Sequence, residues 1–267
     1  MLKKIFMLLA LLFTLITTTT TSAHAQTMVM DPNIWNLVVN QDFTKGTNPN
    51  LYTVYCGHQG DKNGPELNNF VPGNVYYLNN QALVLKFEKK TNTSCTGVTR
   101  SYAGAGFTLN PPATSTDIAA EFVIMGTNAP GVSPYTTTWP HAGTKIKCTK
   151  GWGAEDDFFE QLGDKSAAVW DTYHYWDSRC NHQLTQFNFN IPDAATNYHA
   201  YGVIRTNGQV KFYLDGVYKG TGSLYFQKYQ MDIAMGVGAY NWDKPVDSKL
   251  PAYVYIKSMK VWTKKMN

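Results

Sequence analysis

The segment NVYYLNNQALVLKFEKK, residues 74 to 90, alternates apolar and polar side chains on both sides of Asn79-Asn80. Successive side chains of a strand point to opposite faces, so a period of two interrupted by a turn specifies a hairpin with one face buried. QVKFYLDGVYKGTG, residues 209 to 222, repeats the device around Asp215-Gly216, a pair that takes up the positive φ of a two-residue turn at little cost. Similar runs follow at IAAEFVIM, AAVWDTYHYW, HQLTQFNFN, YHAYGVIRT and AYVYIKSMKVW. Segments such as NPPATSTD and GTNAPGVSP, rich in Pro, Gly, Ser, Thr and Asn, read as the loops between them. No helical period lasts three turns, no repeat of fixed length is visible, and no linker divides the chain. Many short strands with regular turn signals predict an all-β sandwich of two stacked sheets, and 267 residues fall within the range of one such domain.

The amino terminus, MLKKIFMLLALLFTLITTTTTSAHAQ, sets Lys3 and Lys4 before an apolar run from Ile5 to Ile16 and ends in the small-x-small triplet Ala23-His24-Ala25. This is the pattern of a secretory signal peptide, residues 1–25, which leaves residues 26–267 as the single mature domain. The run is shorter than the roughly 20 residues a spanning helix needs, so the expectation is an exported, soluble protein with no membrane partner. Loss of Lys3 and Lys4 lowers the net charge from +4 to +2, too small a surplus, and too dispersed, to indicate nucleic acid. Four cysteines, Cys56, Cys95, Cys148 and Cys180, form no C-x-x-C pair, and in an exported chain they read as two disulfides. His58, His141, His182 and His199 have no metal-ligand spacing and read as surface or strand hydrogen-bonding residues.

Aromatic residues make up 14% of the chain, many beside hydrophilic neighbours, and a flat ring offers an apolar face on which the C–H groups of a sugar can pack. The stretch GWGAEDDFFEQLG, residues 151 to 163, crowds acids against phenylalanines. In a regular strand Glu155 and Asp157 share a face while Glu160, five positions from Glu155, points the other way. One extra residue, a β-bulge around Phe158-Phe159, would bring Glu160 onto their face. Three acids on one face suit a retaining glycosidase, which needs a carboxylate nucleophile and a carboxylic acid about 5 Å apart. A third carboxylate would steer the ionisation of the other two.

The same residues resemble glycoside hydrolase family 16, the laminarinase-like endo-glucanases and their galactanase relatives on a concanavalin-like jelly roll. GWGAEDDFFE is similar to that family's motif of Gly-Trp, then Glu, an aliphatic residue, Asp, an apolar pair with one member bulged, and Glu. The resemblance implies a two-sheet jelly roll with a substrate cleft on its concave sheet. It makes Glu155 the nucleophile, Asp157 the assisting carboxylate and Glu160 the general acid/base, with Trp152, His174 and Trp176 as substrate-binding residues. LVVNQDF, PELNNFVPGNVYYLNNQALVL and YHAYGVIRTNGQVKFYLDG resemble other strands of the family, so the likeness runs from about residue 36 to 262. Three positions depart from it: Asp156 where an aliphatic residue is usual, Arg205 where Trp is usual, and Lys257 near a customary Asp. An unpaired Asp156 facing the interior would be costly.

The function this implies is a secreted, monomeric endo-acting hydrolase of β-linked polysaccharide, with β-1,3-glucan favoured and a neutral galactan second. The bulged motif resembles the branch that holds laminarinases, and the near-neutral mature chain gives little reason for a sulfated polymer. A carbohydrate-binding relative without catalysis, or a transglycosylase that remodels cell-wall glycan, are the alternatives. No cofactor is expected; structural calcium occurs in the family, but no residue here identifies its ligands. If the strands of Glu160 and His174 form an antiparallel hairpin around Gly163-Asp164-Lys165, paired positions add to about 328, as do Cys148 and Cys180. That register joins Cys148 to Cys180 and leaves Cys56 with Cys95.

Overall fold

The computed structural model describes residues 25–58, 63–110, 116–141, 155–162, 165, 167–177, 179–223 and 230–265. Among these, seventeen strands make up the molecule. One sheet runs β5 (Val75–Leu78), β6 (Ala82–Thr93), β17 (Ala252–Lys264), β8 (Ile118–Met125), β13 (His199–Thr206), β14 (Gln209–Leu214) and β15 (Val217–Ser223). β1 (Trp35–Asp42) lies beside the later part of β17. The other sheet runs β2 (Tyr52–Val54), β7 (Thr99–Leu109), β16 (Met231–Gly238), β9 (Ser133–Pro140), β10 (Glu155–Gln161), β11 (Ala168–Trp176) and β12 (His182–Asn190). β3 (Gly57–His58) pairs with β4 (Asn68–Phe70), which runs parallel to β7. The two sheets are joined where β6 crosses from one to the other and pairs with β7. This is the expected jelly-roll sandwich.

The hairpins form where the turn chemistry places them. Asn80 takes φ 54° between β5 and β6, and Asp215 and Gly216 take φ 48° and 72° between β14 and β15. Between the sheets lies a dry layer drawn from both, including Leu83, Leu85, Phe87, Phe107, Phe122, Phe158, Phe159 and Phe212, all fully buried. Each such side chain contributes about 1.5–3 kcal/mol by leaving water. Cys56 and Cys95 are bonded, as expected, with Cα atoms 5.5 Å apart. Cys180 is also in a disulfide; its expected partner, Cys148, lies outside the described residues, as does the leader up to His24.

Candidate active site

β10 lies inside its sheet, between β9 and β11, and the register slips once along it. Against β9, Asp157 faces Thr137 and Phe159 faces Thr136, so Phe158 is the extra residue. Against β11, Glu155 faces His174, Asp157 faces Thr172 and Glu160 faces Trp170. Both phenylalanines turn inward. Phe158 meets Phe122 of the opposite sheet edge to face at 5.7 Å, and Phe159 packs on Tyr201 at 4.6 Å. Two adjacent inward side chains restore the parity, so Glu160 emerges on the face of Glu155 and Asp157. The pairs along this hairpin add to 329 before the bulge and 330 after it, close to the expected 328.

The three acids are held by different partners. Glu155 is buried, its Oε1 accepting a hydrogen bond from Thr137 Oγ1 at 3.3 Å, while Oε2 accepts none from a described donor. Asp157, also buried, meets His174 Nε2 at 3.3 Å through Oδ2. Glu160 is half-buried and accepts from Thr172 Oγ1 at 2.6 Å, and that hydroxyl in turn accepts from Gln186 Nε2 at 3.2 Å. Burial, and then the charges of Asp157 and Glu160, push the Glu155 carboxyl well above the usual carboxylate range. Burial and the Asp157 charge push Glu160 up to about 7. Asp157 is raised too, by burial, but His174 and Thr137 oppose the rise. Three carboxylates this close cannot all ionise, so near neutrality the cluster keeps protons. Asp157, backed by His174, is the member best supported as an anion.

Asp156, on the opposite face of β10, points between the sheets and is fully buried. It is not unpaired. Its Oδ2 takes Arg205 Nη1 at 2.7 Å and Thr138 Oγ1 at 2.6 Å, and Arg205, from β13 of the other sheet, is fully buried as well. The two departures at Asp156 and Arg205 are therefore one feature, an ion pair that ties the strand of the acids to the opposite sheet. Lys257, the third departure, sets its ammonium over the Tyr198 ring, 5.6 Å from the centroid.

His174 lies beside the acids as expected, and Trp176, two residues along the same face, is buried with an indole N–H that meets no acceptor among the described residues. Trp152 lies outside the described residues. Several residues of the site were not singled out by the sequence. Tyr135 sits opposite Glu160 on β9, and Gly236 leaves room for its ring: a Cβ there would come within 2.6 Å of the phenol. Tyr240, raised by burial and by the charges of Glu160, Glu66, Asp157 and Glu155, lies close to the cluster. Its ring stacks on Trp242 at 4.5 Å and 9°, and Trp242 is 64% exposed, a broad aromatic face open to solvent. An aromatic pair inside the Gly-, Asp- and Pro-containing loop GAYNWDKP is the signal that could have marked them.

One gathering of three possible metal ligands occurs among the described residues: Glu155, Asp157 and His174, within 4.8 Å of one another. Calcium takes six to eight oxygen ligands, so two carboxylates and an imidazole do not suit it.

The jelly-roll fold is shared with solved laminarinases. Three solved structures illustrate the likeness. The laminarinase catalytic domain from Thermotoga maritima superposes with a TM-score of 0.70 at 20% identity, over 87% of this chain and 99% of that one. The endo-β-1,3-glucanase from Pyrococcus furiosus gives 0.72 at 18%, over 89% and 100%. A structure from work on endo-acting O-glycanases of the human gut microbiota that initiate mucin breakdown gives 0.74 at 13%, over 88% and 93%. At these identities the likeness establishes the fold. No protein-family model and no curated protein matches the sequence.

Proposed function

We infer that the chain is a secreted endo-acting glycoside hydrolase that cleaves β-1,3-glucan with retention of configuration. The observation that carries this reading is the bulge at Phe158, which sets a protonatable Glu160 on the face of Glu155 and Asp157. Glu160, its carboxyl lifted to about 7, donates its proton to the departing glycosidic oxygen while a Glu155 oxygen attacks the anomeric carbon. Glu155 and Asp157 are hydrogen-bonded to each other, and a proton that moves from Glu155 to Asp157 leaves Glu155 ionised for attack. Glu160, now ionised, takes a proton from water, the hydroxyl displaces Glu155 from the sugar, and both acids return to their first states. Tyr240 and the exposed Trp242 offer stacking surface for a sugar ring.

The leader supports export, and the neighbours named as laminarinases and endo-β-1,3-glucanases support the choice of glucan. The neighbour from work on mucin O-glycanases superposes equally well, so mucin is among the substrates to be tested. The test is incubation of the purified protein with laminarin, mixed-linkage glucan, agarose, carrageenan and mucin, with products sized and the anomer read by proton NMR. Internal cleavage of laminarin with first release of the β-anomer is expected. First release of the α-anomer would rule out the double displacement, and inertness on every substrate would rule out the hydrolase.

A further inference from the structure

The hydrogen-bonded chain that starts at Asp157 does not stop at His174. β12 opens with His182, whose Nε2 lies 2.9 Å from His174 Nδ1. The two imidazoles are nearly parallel, with centroids 5.1 Å apart and planes 13° apart, and the Trp176 ring stands edge-on to His182 at 4.6 Å. His182 is exposed, whereas His174 is only 19% accessible at its side chain. Two histidines thus link a buried carboxylate in the acid cluster to solvent.

Counting protons gives the outer histidine a task. His174 Nε2 faces the Asp157 carboxylate, so that nitrogen carries hydrogen whatever the charge on the ring. A neutral His174 then has a lone pair on Nδ1, which accepts from His182 Nε2–H. A charged His174 has Nδ1–H instead, which donates to the lone pair of His182 Nε2 in its other tautomer. His182 can satisfy either state, and in the second it supplies a neutral acceptor for a charge-assisted bond, the stronger kind.

We propose that His182 is a positioning residue that holds His174 as an imidazolium against Asp157, and so keeps a positive charge beside the acid cluster at working pH. The charged groups around His174 fit this role. β10 presents Glu155, Asp157 and Glu160 on the same face and Asp156 behind it, β12 presents His182, and the loop between β11 and β12 carries Asp177 and Arg179. Asp177 is occupied by the backbone N–H groups of Arg179 and Asn181. The charges of Asp157, Glu160 and Asp156 favour the protonated ring against the effect of burial. In turn the His174 charge lowers the proton affinity of both Asp157 and Glu160.

The proposal rests on the glycosidase reading for its consequence but not for its test. Two substitutions separate hydrogen bonding from stacking: His182→Phe keeps a ring against His174 without an acceptor, and His182→Gln keeps an acceptor without a ring. Histidine-selective ¹⁵N NMR on the full-length mature protein, without substrate, reads the protonation of His174 directly. The midpoint should fall by half a pH unit or more in His182→Phe, about threefold in dissociation constant, and stay near the parent value in His182→Gln. In the pH profile of laminarin hydrolysis both limbs should move upward in His182→Phe only, because the carboxyls lose a neighbouring positive charge. An unchanged or raised midpoint in His182→Phe, with the fold intact by circular dichroism, would overturn the proposal, as would equal falls in both variants. If the parent has no activity on any glycan, the hydrolase reading fails while the NMR result still decides the role of His182.

Discussion

Removing one member of the Asp156–Arg205 pair should be among the most damaging single changes in this molecule. Both side chains are completely inaccessible, they belong to different sheets, and the 2.7 Å contact joins them across the interior. Arg205→Met leaves the Asp156 carboxylate to the Thr138 hydroxyl, and a buried charge stripped of its counter-ion costs about 3–5 kcal/mol. For a domain of this size each kcal/mol moves the melting temperature by roughly 2–4 °C, so the fall should be about 6–20 °C. Asp156→Leu takes the carboxylate away from the buried guanidinium and should cost a similar amount. The double variant, with both charges replaced by apolar groups, should recover most of the loss, because a buried pair is often worth no more than a well-packed apolar one. Calorimetric melting of the parent, both single variants and the double closes a double-mutant cycle, with a coupling energy of at least about 2 kcal/mol expected. Single-variant losses below about 1 kcal/mol, or a double variant less stable than either single one, would refute the reasoning.

Three further outcomes follow from the site. Glu160→Gln and Glu155→Gln should each lower turnover on laminarin by at least about 10²-fold; with an aryl glycoside bearing a good leaving group, azide should rescue only Glu160→Gln, giving a product of retained configuration in its NMR spectrum. Asp171 is pushed well above the usual range by burial, then by the Glu160 and Asp157 charges, so the folded state holds a proton that the unfolded chain releases above about pH 4. Its contribution to stability is full at lower pH and is lost as pH rises towards the folded value, so Asp171→Asn should raise the melting temperature more at pH 8 than at pH 5; equal gains at both would show that its titration does not matter. Trp242→Ala removes a largely exposed stacking surface and should raise KM on laminarin several-fold with little change in kcat, whereas an unchanged KM would place the glycan elsewhere.

What the sequence disclosed were the features whose cause is local. β12 alternates over its whole length and β8 is a nearly continuous apolar run broken by Glu121, and each was legible at its observed bounds because turn residues close it. The bulge was legible for the same reason: the parity of Glu155, Asp157 and Glu160 fails without it. β7 and β16 carry no such mark, since TRSYAGAGFTL and MDIAMGVG hold glycines that weaken a strand signal, and their pairing with each other is long-range. The partnership of Asp156 with Arg205 spans 49 residues and two sheets, so in one dimension it looked like two separate departures. Tyr135, Thr137 and Thr172 reached the acids through neighbouring strands, which single-chain patterning does not resolve.

The bulge at Phe158 makes the spacing between Glu155 and Glu160 a property of the interior rather than of the surface. Because Phe158 leans on Phe122 and Phe159 on Tyr201, the far sheet acts as the jig against which the two acids are set. Loops around the acids can therefore drift, lengthen or be exchanged without disturbing the spacing of Glu155 and Glu160. Conversely, a conservative change deep in the sandwich, such as Phe122→Leu, can shift the acids while every residue around them is intact. A search for altered specificity in this scaffold would find its tolerant positions at the rim, and its silent saboteurs more than a layer below.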